Sequence, residues 1–230
     1  MGMRNIPFVD GEFYHLYNRG NSKQIIFLDM EDYHRFAKLL YLCNSNHSIN
    51  FRNDIVSRHI DAFEFDRGEK LVSIGSWCLM PNHFHLYVYN LPKQGLGESE
   101  INNITKFMLK LCTSYSKYFN KKYNRTGKLF EDKFKSVHIS TENQAKYLFS
   151  YIHLNPVKLI YDDWKKEGIR NINECIKYLD EYKWSSYRDL IGIVRNENKI
   201  IDEDFPLKYF LVKESFKKEI FEWLKLGQYS

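Results

Sequence analysis

The stretch from Leu71 to Asn90, LVSIGSWCLMPNHFHLYVYN, constrains the fold more than any other part of the chain. Its apolar and aromatic residues are typical of strands. Pro81 and Asn82 interrupt the run, because proline cannot donate to a strand ladder and Pro-Asn favours a turn. The stretch therefore predicts two strands that form a hairpin, with the turn at Met80-Pro81-Asn82.

The second strand of this hairpin carries His83 and His85 on either side of Phe84. Side chains alternate across a strand, so both imidazoles are expected on one face, roughly 7 Å apart. Two imidazoles at this separation can converge on one metal ion, and histidine is the commonest metal ligand in proteins. The alternative is a pair of ordinary surface histidines beside a core phenylalanine, and the triplet by itself does not decide between the two.

Length and composition describe a globular protein. The 230 residues are enough to bury a sizeable core, and 43% of them are hydrophobic. No window approaches the roughly 18 consecutive apolar residues of a membrane helix, and the N-terminus lacks the apolar run of a signal peptide. We therefore expect a cytoplasmic protein with no membrane partner.

The four cysteines are too scattered for a Cys-x-x-Cys site or a disulfide framework, so we expect reduced and mostly buried thiols.

Hydrophobic periodicity predicts the elements around the hairpin. The alternating segment from Glu12 to Arg19 indicates a strand, and Asp29 caps a predicted helix from Met30 to Cys43. A longer helix is predicted from Glu100 to Phe119, because apolar side chains recur there at steps of three and four. Alternation predicts a further strand from Lys133 to Ser140.

The spacing of Thr141 and Gln144 is that of a capping box, which predicts one more helix. Pro156 disfavours helical geometry at the preceding residue, so this helix should end at Asn155. The order strand, helix, strand, strand, helix, strand is that of a ferredoxin-like α+β fold, an antiparallel sheet with helices packed on it. We expect this domain to span residues 1–160, followed by a helical C-terminal extension, 161–230, packed on the body. Segment 44–69 is predicted to be an irregular insertion.

Tyrosines occupy two kinds of helical position. Tyr115 and Tyr118 fall on the apolar stripe of the long helix, which predicts that they pack. Tyr151 and Asn155 stack four residues apart at the margin of a stripe, where a side chain can reach over the sheet. An asparagine oxygen can complete a His-His-Asn metal site, and a tyrosine that attacks phosphorus forms a covalent ester. The alternative is an interfacial tyrosine and a C-cap asparagine.

A further histidine, His15, lies on the first predicted strand. We interpret it as a partly buried structural histidine.

Positive charge is concentrated between Asn102 and His138. This segment holds nine Lys and Arg side chains against Glu131 and Asp132, a net charge of +7 in a chain whose total is +5. With its interleaved aromatic residues, the block suggests a polyanionic partner, because neutralisation of phosphates drives nucleic-acid affinity. The alternative is an ordinary solvated helix face.

The hairpin turn and the last predicted helix together resemble the two signatures of the HUH single-strand DNA transposases, in particular the REP-associated tyrosine transposases. The resemblance spans roughly residues 8–190, and it rests on a combination of motifs, none of which is specific alone. The matching motifs are MPNHFHL from Met80 to Leu86, YIHLNPVK from Tyr151 to Lys158, YHLYNRGN from Tyr14 to Asn21, TGKLF from Thr126 to Phe130 and WSSY from Trp184 to Tyr187.

The resemblance implies a transposase that cleaves and rejoins hairpin-containing single-stranded DNA. It implies that His83, His85 and Asn155 hold Mg²⁺ or Mn²⁺, which polarises the scissile phosphate and stabilises the leaving 3′ oxygen. It also implies that Tyr151 attacks, which leaves a 5′-phosphotyrosine and a free 3′-OH, so no nucleotide cofactor is needed. Imidazole ligands favour Mn²⁺, whereas availability in the cell can favour Mg²⁺.

The expected partner is single-stranded DNA with hairpins or palindromic repeats, bound by a monomer or homodimer. Two other functions stay open. One is a metal-dependent nuclease in which water attacks in place of Tyr151, and the other is a non-catalytic binder of single-stranded nucleic acid. The expected nucleic-acid contacts are Arg19 and Asn21 in the motif from Tyr14 to Asn21, and Lys106, Lys110, Lys117, Lys121, Arg125, Lys128, Lys133 and Lys135 in the basic block.

Overall fold

A computed structural model describes residues 7–92, 101–203, 205 and 213–228 of the chain. Its four strands form one antiparallel sheet. The strands are β1 Phe13–Arg19, β2 Val72–Met80, β3 His83–Asn90 and β4 Lys135–Ile139. The helices are α1 Met30–Cys43, α2 Asn103–Lys122, α3 Glu142–Leu154, α4 Trp164–Glu167, α5 Ile172–Glu181, α6 Tyr187–Leu190 and α7 Lys213–Gln228.

The sheet has the spatial order β2-β3-β1-β4, and every neighbouring pair is antiparallel. In chain order the elements run β1, α1, β2, β3, α2, β4, so each helix crosses over a strand that lies between its two flanking strands. This is the connectivity of a ferredoxin-like sheet. The predicted α+β fold class is therefore confirmed, and so is the hairpin with its turn at Pro81 and Asn82.

Helices α1 and α2 cover one face of the sheet. Leu16 of β1 and Phe84 and Leu86 of β3 point into this core and are fully buried. The predicted start of α1 is confirmed, because Asp29 forms a capping box with Asp32. The predicted start of α2 was three residues too early: the side chain of Asn102 accepts from the backbone N–H of Ile104 and caps the helix there. Ile101, which we placed on the buried stripe, is 48% exposed.

The opposite face of the sheet is covered by α3 and by helices from the C-terminal part of the chain. Strand alternation sends His85 and Tyr87 to this side, because Phe84 and Leu86 face the other. The predicted capping box of Thr141 and Gln144 is present at the start of α3. The α-helix ends at Leu154, and the chain continues as a 3₁₀ turn, Asn155–Leu159, with Pro156 at its start.

Helix α7 packs against α3 in a second core on this face, and α5 packs against α7 and against the 3₁₀ turn that follows α3. Their apolar side chains join those of α3 and of β2, whose residues are buried along its whole length. The main members of this core are Cys78, Met80, Tyr87, Leu148, Phe149, Ile152, Cys175, Leu179, Phe216, Ile220 and Leu224.

The predicted insertion 44–69 has short elements of its own, a π-helical segment at Phe51–Val56 and a 3₁₀ turn at Ala62–Glu64. It packs on the end of α1 through a small cluster of Leu42, Ile55 and Ala62. Residues 91–99, where Pro92, Gly95 and Gly97 predict a linker, lie almost entirely outside the described residues. All four cysteines are free thiols, three of them buried. Within the described residues, no helix combines the length and apolar character needed to cross a bilayer.

Candidate functional site

An open cleft of about 480 Å³ lies on the α3 side of the sheet, where β1 and β3 meet the start of the hairpin turn. His83 and His85 line it from β3, and Tyr151 lines it from α3. The structure thus brings these three predicted residues together. The remaining lining residues come from β1, the hairpin turn and the chain before β4: Tyr17, Asn18, Arg19, Asn82, Glu131, Asp132, Lys133 and Lys135.

The two imidazoles of the triplet lie on one face, as the strand alternation predicted. Their ring centroids are 5.0 Å apart and the ring planes are nearly perpendicular. Nδ1 of His83 is 2.6 Å from Oδ1 of Asn82. Because an amide oxygen only accepts, Nδ1 carries the proton and Nε2 of His83 keeps its lone pair.

His85 makes the corresponding contact to another histidine. Its Nδ1 lies 2.9 Å from Nε2 of His15, and its Nε2 is a buried atom without a hydrogen-bond partner. His15 is buried as predicted, but it belongs to the site, which the sequence interpretation missed. The strand register places Tyr17 directly opposite His85, and His15 therefore lies diagonally across the pair of strands. Nothing in the pattern of β1 alone reveals that register.

Burial keeps the histidines of the cleft neutral. It lowers the pKa of His83 to about 4, with further lowering by the charges of Lys158 and Arg19. It also lowers the pKa of His15 to about 4, and the pKa of His85 lies well below its ordinary value, mainly because of burial. A neutral imidazole has a lone pair available to a metal ion, whereas a protonated one has none.

Tyr151 is half-buried, with its ring edge-on to His85 at a centroid distance of 5.5 Å. On its other side it stacks on Tyr147, at 6.1 Å and 18°. Burial raises the pKa of the Tyr151 phenol, and a hydrogen bond donated by the Asn155 side-chain amide opposes that rise. The phenol is consequently protonated at neutral pH, so an attack by its oxygen requires a positively charged environment or a proton acceptor.

Asn155 follows Tyr151 by one turn and is buried. Its Nδ2 donates to the backbone oxygen of Tyr151 at 2.9 Å, whereas its Oδ1 is a buried acceptor without a partner. Asn155 and Tyr151 border a small pocket that adjoins the cleft. The predicted role as a C-cap asparagine and the predicted role as a ligand are both compatible with this geometry, because the two use different atoms.

Lys158 also belongs to this site, although the sequence motif that contains it predicted no role for it. Its Nζ lies 5.7 Å from the centroid of the Tyr151 ring, and its charge lowers the pKa of His83 and His85. The 3₁₀ turn that continues α3 carries Lys158 back over Tyr151. Lys158 follows Tyr151 by seven residues, about two helical turns, and this spacing alone predicts that the two side chains lie on the same side.

The donor atoms of His83, His85 and Asn155 are of kinds that bind a divalent metal ion, but Asn155 lines the small adjoining pocket and not the cleft that holds the two histidines. His83 and His85 each have Nδ1 engaged, which leaves Nε2 as the ligand atom, and Oδ1 of Asn155 adds a hard oxygen beside Tyr151. Among the described residues, no group of three or more His, Cys, Asp and Glu side chains has the arrangement to hold a metal. A site here would therefore depend on the amide oxygen as its third protein ligand.

The predicted nucleic-acid residues do not form one continuous surface. Arg19, Lys133 and Lys135 line the cleft, although Arg19 forms an ion pair of 2.8 Å with Glu131. The lysines of α2 lie beyond the other face of the sheet. There, Lys110, Lys117 and Lys121 line a groove of about 760 Å³ between α1, α2 and the insertion.

Other members of the basic block have local roles. Lys122 forms ion pairs with Asp29, Glu31 and Asp32, so its charge is already neutralised. Four predicted contact residues line neither cavity: Asn21, Lys106, Arg125 and Lys128. Asn21 and Lys128 are exposed at the junction where the turn after β1 pairs with the loop before β4.

Comparison with solved structures found similarity to a REP-associated tyrosine transposase bound to a REP hairpin. The two chains are 12% identical, the match covers 91% of this chain and 99% of that one, and the TM-score is 0.47. No family model and no curated protein matches the sequence.

Proposed function

We propose that this protein is a single-strand DNA endonuclease and strand transferase, a transposase in which Tyr151 becomes covalently joined to DNA. One observation carries the proposal. The phenol ring of Tyr151 lies edge-on to His85 in an open cleft with exposed lysines, and Nε2 of His85 is buried there without a partner. A tyrosine beside unused metal-ligand atoms and cations is suited to phosphoryl transfer.

His83, His85 and Asn155 would hold the Mg²⁺ or Mn²⁺ ion. When bound, the ion would supply Lewis-acid polarisation of the scissile phosphate and stabilisation of the leaving oxygen. The protein side of the reaction falls to Tyr151. Its oxygen forms a bond to phosphorus while the bond from phosphorus to the 3′ oxygen breaks. The phenol proton passes to solvent, and the 3′ oxygen takes up a proton to become a hydroxyl.

The resulting 5′-phosphotyrosine is a phosphodiester, as the substrate was. A 3′-OH can therefore attack it and rejoin the strand without a nucleotide cofactor, and the tyrosine is regenerated. Lys158 lies over the Tyr151 ring, and Lys133 and Lys135 line the cleft. Positive charge would therefore surround the phosphate that is transferred to Tyr151. Such charge favours a phenolate and stabilises the pentavalent transition state.

The partner that fits this surface is a DNA strand that enters the cleft unpaired. The cleft is open and lined by Tyr17, whose half-buried ring can stack on a base. We propose single-stranded DNA with a hairpin as substrate, in keeping with the motif resemblance. A water-dependent nuclease would need the same ligands but no tyrosine, and a non-catalytic binder would need neither.

Trapping of a denaturation-resistant adduct distinguishes these functions. We expect the wild-type protein, incubated with end-labelled hairpin DNA and Mn²⁺, to form an adduct that survives SDS, and Tyr151→Phe to form none. Tyr147→Phe is the matched control, because Tyr147 lies one turn earlier on the same helix, is exposed, and stacks on Tyr151. Cleavage without an adduct in the wild type would favour the water-dependent nuclease, and binding without cleavage would favour the binder.

A further inference from the structure

We propose that His15 is a positioning residue that fixes the tautomer of His85 and thereby keeps a lone pair on its Nε2. The inference rests on the proposed function only in taking Nε2 of His85 as a ligand atom. It concerns a residue that neither holds an ion nor touches the scissile phosphate.

One hydrogen bond joins the two rings. Nδ1 of His85 and Nε2 of His15 are 2.9 Å apart, and both side chains are buried. Two neutral imidazoles at this distance must be arranged so that one nitrogen donates and the other accepts. Either His85 donates from Nδ1 and keeps a lone pair on Nε2, or it accepts at Nδ1 and carries its proton on Nε2.

The surroundings favour the first arrangement. Nε2 of His85 is buried without a partner, so a proton there would be a buried donor with nothing to accept it, which is unfavourable. Nδ1 of His15 is not one of the buried polar atoms that lack a partner in the described part of the chain. A proton on Nδ1 of His15 therefore does not meet the same penalty. His15 can therefore carry its proton on Nδ1 and accept at Nε2. The lone pair of His85 then remains for an ion.

Packing holds His15 in this position. Its ring stacks on Tyr17 at 4.9 Å and on His85 at 5.0 Å, and the ring of Tyr151 meets it edge-on at 6.3 Å. The same arrangement recurs at the other imidazole, where Asn82 accepts from Nδ1 of His83. Both predicted ligands are thus oriented by a neighbour that accepts from Nδ1, which is how ligand histidines are commonly fixed.

The test begins with the wild-type protein free of metal, so it requires neither DNA nor cleavage. Nitrogen-15 NMR of labelled histidine side chains reports which ring nitrogen is protonated. We expect Nδ1 of His85 to be protonated and Nε2 not. In His15→Phe, which keeps a ring but removes the acceptor, we expect a mixture of the two tautomers. A proton on Nε2 in the wild type, or an unchanged tautomer in His15→Phe, would overturn the inference.

Metal affinity gives the second readout. We expect Mn²⁺ binding, measured by electron paramagnetic resonance, to weaken about 10- to 100-fold in His15→Phe. His15→Gln, which keeps an acceptor, should recover most of it, whereas a merely structural role predicts no such recovery. Equal Mn²⁺ affinity in wild type and His15→Phe would also overturn the inference. Failure of Tyr151 to form an adduct would sink the proposed function while leaving the tautomer result intact.

Discussion

At the scale of single residues, the candidate site presents two imidazoles, each with a hydrogen-bond partner already in place on one ring nitrogen. His83 and His85 each lose one nitrogen to a neighbour and keep the other, and burial keeps both rings neutral. The triplet could be predicted to lie on one face from strand alternation alone. His15 could not be predicted as part of the site, because its contact depends on how β1 aligns with β3.

Removal of either imidazole should separate chemistry from binding. We expect His83→Ala and His85→Ala each to lower the rate of hairpin-DNA cleavage by about 100-fold or more, because stabilisation of the developing charge is lost. DNA affinity should change by less than about threefold, because phosphate contacts by cations supply most of it. Single-turnover cleavage and equilibrium binding measure the two quantities. Undiminished cleavage in either variant would contradict the proposed metal site.

The tyrosines of α2 provide a contrast with Tyr151. Tyr115 is fully buried and its hydroxyl donates to the backbone oxygen of Ile26, so the predicted packing role is confirmed. We expect Tyr115→Phe to lower the free energy of unfolding by about 1–2 kcal/mol, because a buried acceptor loses its partner. Adduct formation should persist in this variant. Urea denaturation and adduct trapping measure the two effects. A loss of adduct in a folded Tyr115→Phe would favour Tyr115 of α2, in place of Tyr151, as the nucleophile.

At the scale of elements, the sequence indicates where α1 and α3 begin, but it does not indicate which face of the sheet each helix covers. The sequence predicts Asp29 as the N-cap of α1 and Thr141 with Gln144 as the capping box of α3, and both caps are present. The apolar stripe of α2 indicated that the helix is buried on one side. It could not indicate which face of the sheet the helix covers, since that follows from the crossover connections. The basic block therefore looked continuous along the chain, whereas it is divided in space.

This division makes the two groups of lysines separable by experiment. We expect Lys133→Ala with Lys135→Ala to lower both DNA affinity and the cleavage rate at saturating DNA, because these side chains line the cleft. We expect Lys117→Ala with Lys121→Ala to lower affinity alone. Each lost phosphate contact should make the dependence of log affinity on log salt shallower by about 0.7 for single-stranded DNA.

Lys166→Ala with Lys177→Ala serves as the charge-matched control for these pairs. Lys166 pairs with Asp163 on the surface, Lys177 is exposed on α5, and neither lines the cleft or the α2 groove. Equal losses of affinity in this control would show that net charge, rather than either surface, governs binding. A lower saturated cleavage rate in the α2 pair would contradict the assignment of that groove to affinity alone.

At the scale of the whole molecule, the sheet separates two cores, and the site depends on the second one. Tyr151 belongs to α3, which is held between the sheet and the C-terminal helices. Phe216 of α7 meets the rings of Phe149 and His153 on α3 at 5.9 and 5.2 Å. The sequence predicts packing of residues 161–230 on the body only from four scattered aromatic residues, Trp164, Trp184, Tyr187 and Trp223. It could not indicate that α7 reaches the helix of the candidate nucleophile.

This packing leads to a prediction about cooperativity. Ile220 of α7 is fully buried in the core that includes Ile152 of α3 and Met80 of β2. We expect Ile220→Ala to lower the free energy of unfolding by about 2–5 kcal/mol, because the lost side chain leaves a cavity. Leu226 on the same helix is 62% exposed, and Leu226→Ala should change stability by less than about 0.5 kcal/mol.

Because α7 shares one continuous core with α3 and β2, the whole described body should unfold in a single transition. Urea unfolding followed by tryptophan fluorescence and by circular dichroism should give coincident midpoints, and Ile220→Ala should shift both together. If residues 161–230 instead form a separate unit, the two probes will diverge and the substitution will move only one transition. In that case adduct formation by Tyr151 would survive at urea concentrations that unfold α7, whereas one cooperative body requires both to be lost together.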